Sequence, residues 1–307
     1  MQLQVSYFVV LLSAWFLVGV AKGDQELSDE TDQAGGEEIS QPSDDGGTSA
    51  EEIAKMLSNP NATLGFLSFP LDYVEFEGTA PGADAQSAWR LSFQPSLPYP
   101  INKSTNFFVR PLIPVFLDQP VPVSTGQPGP GQSAFESIGV ELGDIGFDAS
   151  FGKTFPSGMV LFGGVVGTLP TASDDRLGLD QYLLGPEFVI GKGGPWGFAG
   201  LLLTHQWDVG GEDAYDTSIT GGQYFFTYNL RNAWQIQMTP TFSYNHNAPD
   251  GDELTFPLGI GVSKTVVWGG KPWKLNLQYW KYIEKPDDFG PDFQIRFTAT
   301  PVIPLPW

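Results

Sequence analysis

The sequence predicts an all-β chain: a transmembrane up-and-down antiparallel β-barrel of about 12 strands, preceded by a short N-terminal helix and a disordered acidic segment. Three observations lead there. Apolar and polar residues alternate with a period of two from Phe69 onward, over segments of about 10–13 residues. Such segments exceed the roughly 5–6 residues of an ordinary globular strand and suffice for a tilted bilayer crossing of roughly 9–11. Aromatic residues end the apolar faces, at Trp89, Trp234, Tyr244, Trp273 and Tyr279, where membrane barrels carry girdles. The connections alternate in length and charge.

The elements follow in chain order. Residues 1–23 read as a signal peptide. Tyr7–Val20 is an apolar stretch of 14 residues broken only by Ser13, short for a helical span and the right size for a signal core. Ala21 and Gly23 offer small residues for a cut after Gly23; a retained anchor is the other reading. Export to the bacterial outer membrane is therefore expected. Residues 24–50 form the disordered acidic segment: 24–52 hold 11 of the 35 acidic residues and no base, with too little apolar surface to fold. The net charge of −20 argues against a nucleic-acid partner. With no cysteine, disulfides and thiolate metal sites are excluded. Residues 51–60 read as a short helix, with Ile53, Met56 and Leu57 on one face and Ser58-Asn59-Pro60 as its stop.

The barrel takes residues 61–307. In Ala233–Asn247, Trp234, Ile236, Met238, Pro240, Phe242 and Tyr244 share one parity, and Gln235, Gln237, Thr239, Thr241, Ser243 and Asn245 the other. Side chains of a strand alternate between faces, so one face is apolar and the other polar. Strands are expected at 68–77, 88–98, 105–117, 141–152, 158–169, 183–191, 195–207, 218–229, 233–245, 254–266, 272–283 and 292–303. The even connections are tight and hold bases (Lys103, Lys153, Lys192, Arg231, Lys271), whereas the odd ones are longer and hold acids. Short periplasmic turns and long outer loops have this pattern. Prolines at 95, 111, 114, 186, 240, 257 and 301 each remove a ladder bond or mark a bulge.

Candidate functional residues follow from the same geometry. A charge facing lipid near the bilayer midplane costs roughly 2–4 kcal/mol for Arg or Lys. Arg90, Arg110, Arg296 and Lys274 should therefore face the lumen, with Asp144, Asp148 and Glu187, and with Gln235, Gln237, Gln278 and Gln294 as neutral lining. This mixed lining is either pore wall or a set of paired struts that hold the barrel shut. Asp174 and Asp175 with Arg176, and Asp287 with Asp288, fall in outer loops as cation or lipid-headgroup contacts, or as plain solvated loop tips. No cofactor and no resident metal are expected: two histidines and no cysteine do not make a zinc site of the usual kind. Neither histidine has a serine two residues on, Ala248 standing there after His246, so esterase chemistry lacks its nucleophile. Lipid and a small-molecule solute are the expected partners.

Several blocks resemble a known family: "LPTASDDRLGLDQYLLGP" (169–186), "GPWGFAGLLLTHQW" (194–207) with "GGED" (210–213), "FPLGIGVSKTVVWGGKPWKLNLQYWKY" (256–282) and "GPDFQIRF" (290–297). Residues 57–73 and 140–151 fit as well. The chain resembles, over roughly 55–307, the bacterial outer-membrane family named for the meta-pathway of phenol degradation. That resemblance implies an outer-membrane channel or transporter for small, aromatic or hydrophobic, solutes. The alternative is a structural or adhesive barrel with a closed lumen. It implies no catalytic residues.

Overall fold

In a computed structural model, residues 49–123, 132–211 and 215–305 are described; the expected signal peptide (1–23) and nearly all of the expected acidic segment (24–50) lie outside them. Twelve long strands carry the fold: β1 Gly65–Glu77, β2 Ser87–Ser96, β3 Thr105–Pro122, β4 Ile145–Thr154, β5 Met159–Leu169, β6 Gln181–Gly194, β7 Gly197–Gly211, β8 Ser218–Asn229, β9 in two pieces, Trp234–Met238 and Thr241–Asn245, β10 Leu254–Trp268, β11 Lys271–Glu284 and β12 Gly290–Ile303. Each pairs antiparallel with its sequence neighbours. The ring closes where β1 pairs with β12, from Gly65 opposite Ile303 to Glu77 opposite Gly290. Closure leaves no long edge in hydrocarbon, where each unpaired backbone group costs several kcal/mol.

The faces are inverted relative to a water-soluble protein. Large apolar residues lie exposed on the outer surface, among them Val109, Phe151, Phe188, Leu203, Ile260, Leu277 and Phe297, with Ile260 reaching 61%. Asp72, Asn106, Ser150, Glu187, Gln235, Ser263, Asn276, Gln278 and Gln294 are buried. Exposed aromatics ring both ends of this apolar wall: Trp89, Tyr182, Trp207 and Tyr244 at one, Tyr99, Trp196, Tyr228, Trp234 and Trp268 at the other. A hydrocarbon solvent outside and a polar interior within account for both parities. No described helix is long and apolar enough to cross a membrane.

Short connections gather at one end: residues 155–158, 195–196, 230–233 and 269–270. In the last, Gly269 and Gly270 have φ of 58° and 74°, the left-handed pair a two-residue hairpin demands. Residues 78–86, 170–180, 246–253 and 285–289 connect strands at the other end. Four of the five bases assigned to tight turns (Lys153, Lys192 and Lys271, at strand ends, and Arg231, in a turn) stand at the short-turn end as expected; so does Lys103, beside a short strand, Tyr99–Asn102, that pairs with the start of β3.

Prolines mark where the ladders fail. Pro240 splits β9, whose pairing to β10 covers Trp234–Ile236 and then only Ser243–Tyr244. The β9 expected as one strand over 233–245 is therefore two pieces. The β10–β11 register shifts at Phe256/Pro257. Between β2 and β3 the ladder stops at Phe93 opposite Ile113 and resumes at Tyr99 opposite Phe107; Pro95 and Pro111 lie in the gap. β3 outruns its expected end and reaches Pro122, where Phe135–Ile138 pairs with it. The fourth strand starts at Ile145 rather than 141, because Glu141–Leu142 forms a separate piece against β3.

Candidate functional site: the barrel lumen

The N-terminal helix α1, Ala50–Met56, begins with a capping box: Ser49 Oγ accepts from the Glu52 amide, and Glu52 accepts from the Ser49 amide. It ends earlier than the expected 51–60. Sequence reading gave no place for it in the barrel. Residues 49–62 lie across the lumen at the short-turn end. On one side Gln235 of β9, almost fully buried, donates to Ala54 O at 3.0 Å and Ser58 Oγ at 2.8 Å. Glu51 accepts from the Asn232 amide at 2.7 Å. On the other side Asn61 donates to Ser104 O and to Thr154 Oγ1, and accepts from Asn106 of β3. Ile53 and Ala54 are buried. The segment is a crossbar pinned to opposite walls by side-chain amides.

Above the crossbar, charged residues form two groups. The first straddles the closing seam. Asp72 of β1, with a side chain 0% exposed, accepts from Arg296 Nε at 2.6 Å and Nη2 at 2.8 Å, from Arg90 Nη2 at 3.0 Å and from Gln294 Nε2 at 2.9 Å. Tyr282 donates onward to Gln294 at 3.0 Å, and the Arg296 guanidinium lies 4.5 Å from the Trp280 ring centroid. Four neighbouring strands, β11, β12, β1 and β2, are thus tied together. Asp72 was absent from the sequence-derived lining. Its signal was legible: an acid in the middle of "FPLDYVEF" has only the lumen to face.

The second group joins β3, β4 and β6. Arg110 Nε donates to both oxygens of Asp148 at 2.9 Å, and Nη2 reaches Glu187 at 3.4 Å. The guanidinium also lies 5.6 and 5.9 Å from the Phe108 and Phe162 centroids. Gln278 repairs the break in β9: its Oε1 accepts from the Thr239 amide at 2.8 Å and its Nε2 donates to Thr239 Oγ1 at 3.0 Å. Lys274 is buried and makes no hydrogen bond or ion pair with any described residue.

Of the eleven residues expected in the lumen, the structure places ten on inward-facing positions. Asp144 departs: it precedes β4, and its carboxylate accepts from the amides of Thr171, Ala172 and Leu179, so it organises the 170–180 loop. In that loop Asp174 caps a single turn, Asp175–Leu177, and binds Arg176, which also pairs with Glu136. Hydrogen bonds from the Arg176 side chain, then from its amide, hold the Asp174 carboxyl at about 2. Asp288 accepts from Thr79 at 2.5 Å in a different loop. No cluster of three or more His, Asp or Glu suited to a metal occurs among the described residues. His205 and His246 share Thr220 Oγ1, each at 2.8 Å, beside the exposed Trp207 and Tyr244.

A cavity of about 240 Å³ remains in the lumen. Leu57, Ser58 and Pro60 of the crossbar form part of its boundary, with the apolar Phe162, Val189, Phe198, Leu202 and Phe225 and the polar Gln94, Ser96, Arg110, Asp148, Gln223, Thr227, Gln237 and Thr239 interspersed. The apolar members belong to a buried cluster that also includes Phe108 and Val160. Strands β5–β7 are apolar on both faces here, so alternation alone did not single these residues out.

No protein-family model matches the chain, and no curated protein matches it. Among solved structures it is similar to the COG4313 outer membrane channel from Pseudomonas putida F1, at 14% identity and a TM-score of 0.57, over 78% of this chain and 94% of that one. It is also similar to the NanC porin, at 6% identity and a TM-score of 0.49, over 78% of this chain and 100% of that one. At this identity the first likeness bears on fold alone: it agrees with a closed 12-stranded antiparallel barrel of the outer-membrane type.

Proposed function

We propose that the chain is an exported outer-membrane channel for small, aromatic or hydrophobic, solutes, of the phenol meta-pathway type, and not an enzyme. One observation carries this reading. The lumen of a lipid-facing barrel is not filled by its own side chains; it keeps a half-apolar cavity closed off by a crossbar that polar contacts hold. A barrel built only to be rigid has no use for that space. In this reading the lining residues Arg90, Arg110, Asp148, Glu187, Gln235, Gln237, Lys274, Gln278, Gln294 and Arg296 set the field along the path. Lipid surrounds the wall, and the acids of the long loops meet cations or headgroups.

A closed structural barrel is the second reading, favoured by the Asp72 seam group and by the crossbar itself. Reconstitution of the mature chain into liposomes separates the two. The channel reading expects swelling with small neutral aromatics and a small single-channel conductance in planar bilayers. Absence of both, in protein whose unheated form runs faster on a gel than its boiled form, would leave only the closed barrel.

A further inference from the structure

We infer that the outer surface at the short-turn end carries a site for an anionic phospholipid headgroup, built by Arg231, Trp234, Lys264, Trp268, Lys271 and Trp273 on β9–β11 and the turn before β9. The site is separate from the lumen and does not depend on whether the lumen conducts.

Strand parity places it. Side chains two residues apart share a face, so Lys264 continues the outward row of Ile260 and Val262, which are 61% and 47% exposed. Trp273 and Lys271 continue the outward row of Leu277 and Leu275 in the same way. At roughly 3.3 Å per residue, Lys264 stands about 7 Å beyond Val262 along its strand. In the ladders Trp234 lies opposite Lys264, and Trp268 opposite Lys271. Lys264 Nζ is 5.2 Å from the Trp234 ring centroid, and the Trp268 and Trp273 centroids are 5.8 Å apart. Tryptophans of a barrel girdle mark the depth at which the apolar band ends, and a lysine anchored there extends its ammonium into the headgroup layer. Three tryptophans interleaved with three bases therefore face phosphate and glycerol.

Charge names the headgroup. Residues 217–249 and 254–283, which supply the whole patch, contain no Asp or Glu. The described acids at this end, Glu51 and Glu52 of α1, accept from the Asn232 amide and the Ser49 amide. Lys264 donates to Asn232 O, which uses one of the three N–H groups of an ammonium. The side chains of Arg231 and Lys271 make no hydrogen bond or ion pair with any described residue. Even with Glu51 set against one base, two positive charges remain. That surplus separates lipids whose phosphates are alike. Phosphatidylglycerol brings a phosphate with no cation of its own, whereas phosphatidylethanolamine brings an ammonium that the bases repel. The opposite girdle has the reverse charge: Trp89 lies opposite Asp118, and Asp208 follows Trp207. The two ends thus discriminate between leaflets by charge.

Native mass spectrometry of the purified chain in detergent tests this, with phosphatidylglycerol and phosphatidylethanolamine of identical acyl chains as probes. A base beside an anionic headgroup layer is worth about fivefold in binding, so the first bound phosphatidylglycerol should be held at least about tenfold tighter than phosphatidylethanolamine. The triple variant Arg231→Gln, Lys264→Gln, Lys271→Gln should reduce that ratio to about twofold or less. Lys103→Gln, Lys153→Gln and Lys192→Gln together, on the other side of the same rim, should leave it within about twofold of wild type. The gel-mobility shift reports folding of each variant. Lys271→Gln alone, in the exposed hairpin, should lower the ratio about threefold or more and carries the test if the first triple variant does not fold. Equal retention of the two lipids by wild-type protein, a preference that survives removal of the patch bases, or one lost equally with the other rim bases overturns the inference.

Discussion

Replacing Asp72 by Asn should be among the most destabilising single changes in the barrel. The carboxylate is fully buried and accepts hydrogen bonds from Arg296, Arg90 and Gln294. An asparagine of the same shape removes the only charge between two guanidiniums and points an amide donor at one of them. Breaking a buried ion pair on one side costs about 3–5 kcal/mol, because the remaining charge stays buried without its partner. Arg296, with a side chain 15% exposed, feels most of this. Arg90, at 37%, can turn to solvent and contributes less than about 1 kcal/mol. The expected loss is therefore about 3 kcal/mol. Urea unfolding in lipid vesicles, followed by tryptophan fluorescence, measures it. Adding Arg296→Met to Asp72→Leu should recover much of the loss, since the buried cation goes with the anion. A stability within about 1 kcal/mol of wild type for Asp72→Asn would refute the assignment of this group as the staple of the seam.

Gln235→Leu removes the amide that holds Ala54 and Ser58, so crossbar release should raise single-channel conductance with little change in unfolding midpoint. Lys274→Met replaces a buried amine that has no described partner by an apolar chain of similar length; unfolding should show equal or greater stability, by about 1 kcal/mol or more. Asp174, held at about 2 by Arg176, has a depressed folded value. Its contribution is present above the ordinary 3.8 and is lost as pH falls through about 2. Carboxyl NMR should find its midpoint near 2 in wild type and near 3.8 in Arg176→Ala.

Much of the barrel was legible because the membrane imposes one rule on every strand. Period-two alternation assigned Gln235, Gln278 and Gln294 inward and Leu277 and Phe297 outward, and charge aversion added Arg90, Arg110 and Arg296. Turn chemistry separated the two ends. Three features escaped for physical reasons. The crossbar depends on contacts between residues far apart in sequence, Ala54 with Gln235 and Asn61 with Asn106, which no local pattern announces. The aromatic lining lies on strands that are apolar on both faces, where alternation carries no information. Asp144 was read as part of a strand, yet three loop amides claim its carboxylate just before β4 begins. Pro240 was flagged as an anomaly, and its effect, a split strand patched by Gln278, needed the opposing strand to become visible.

The central claim is that the apolar faces meet acyl chains while the polar faces enclose a common interior. Because the chain has no cysteine, single cysteines can be placed at will and labelled with an environment-sensitive dye. Leu277, 51% exposed, and its chain neighbour Gln278, 3% exposed, are the sharpest pair. Reconstituted in bilayers with nitroxide lipids, the label at Leu277 should be strongly quenched and the label at Gln278 little affected, with Ile260 and Ser263 behaving as the same contrast on β10. Equal quenching of both partners, or quenching of Gln278 alone, would contradict the account.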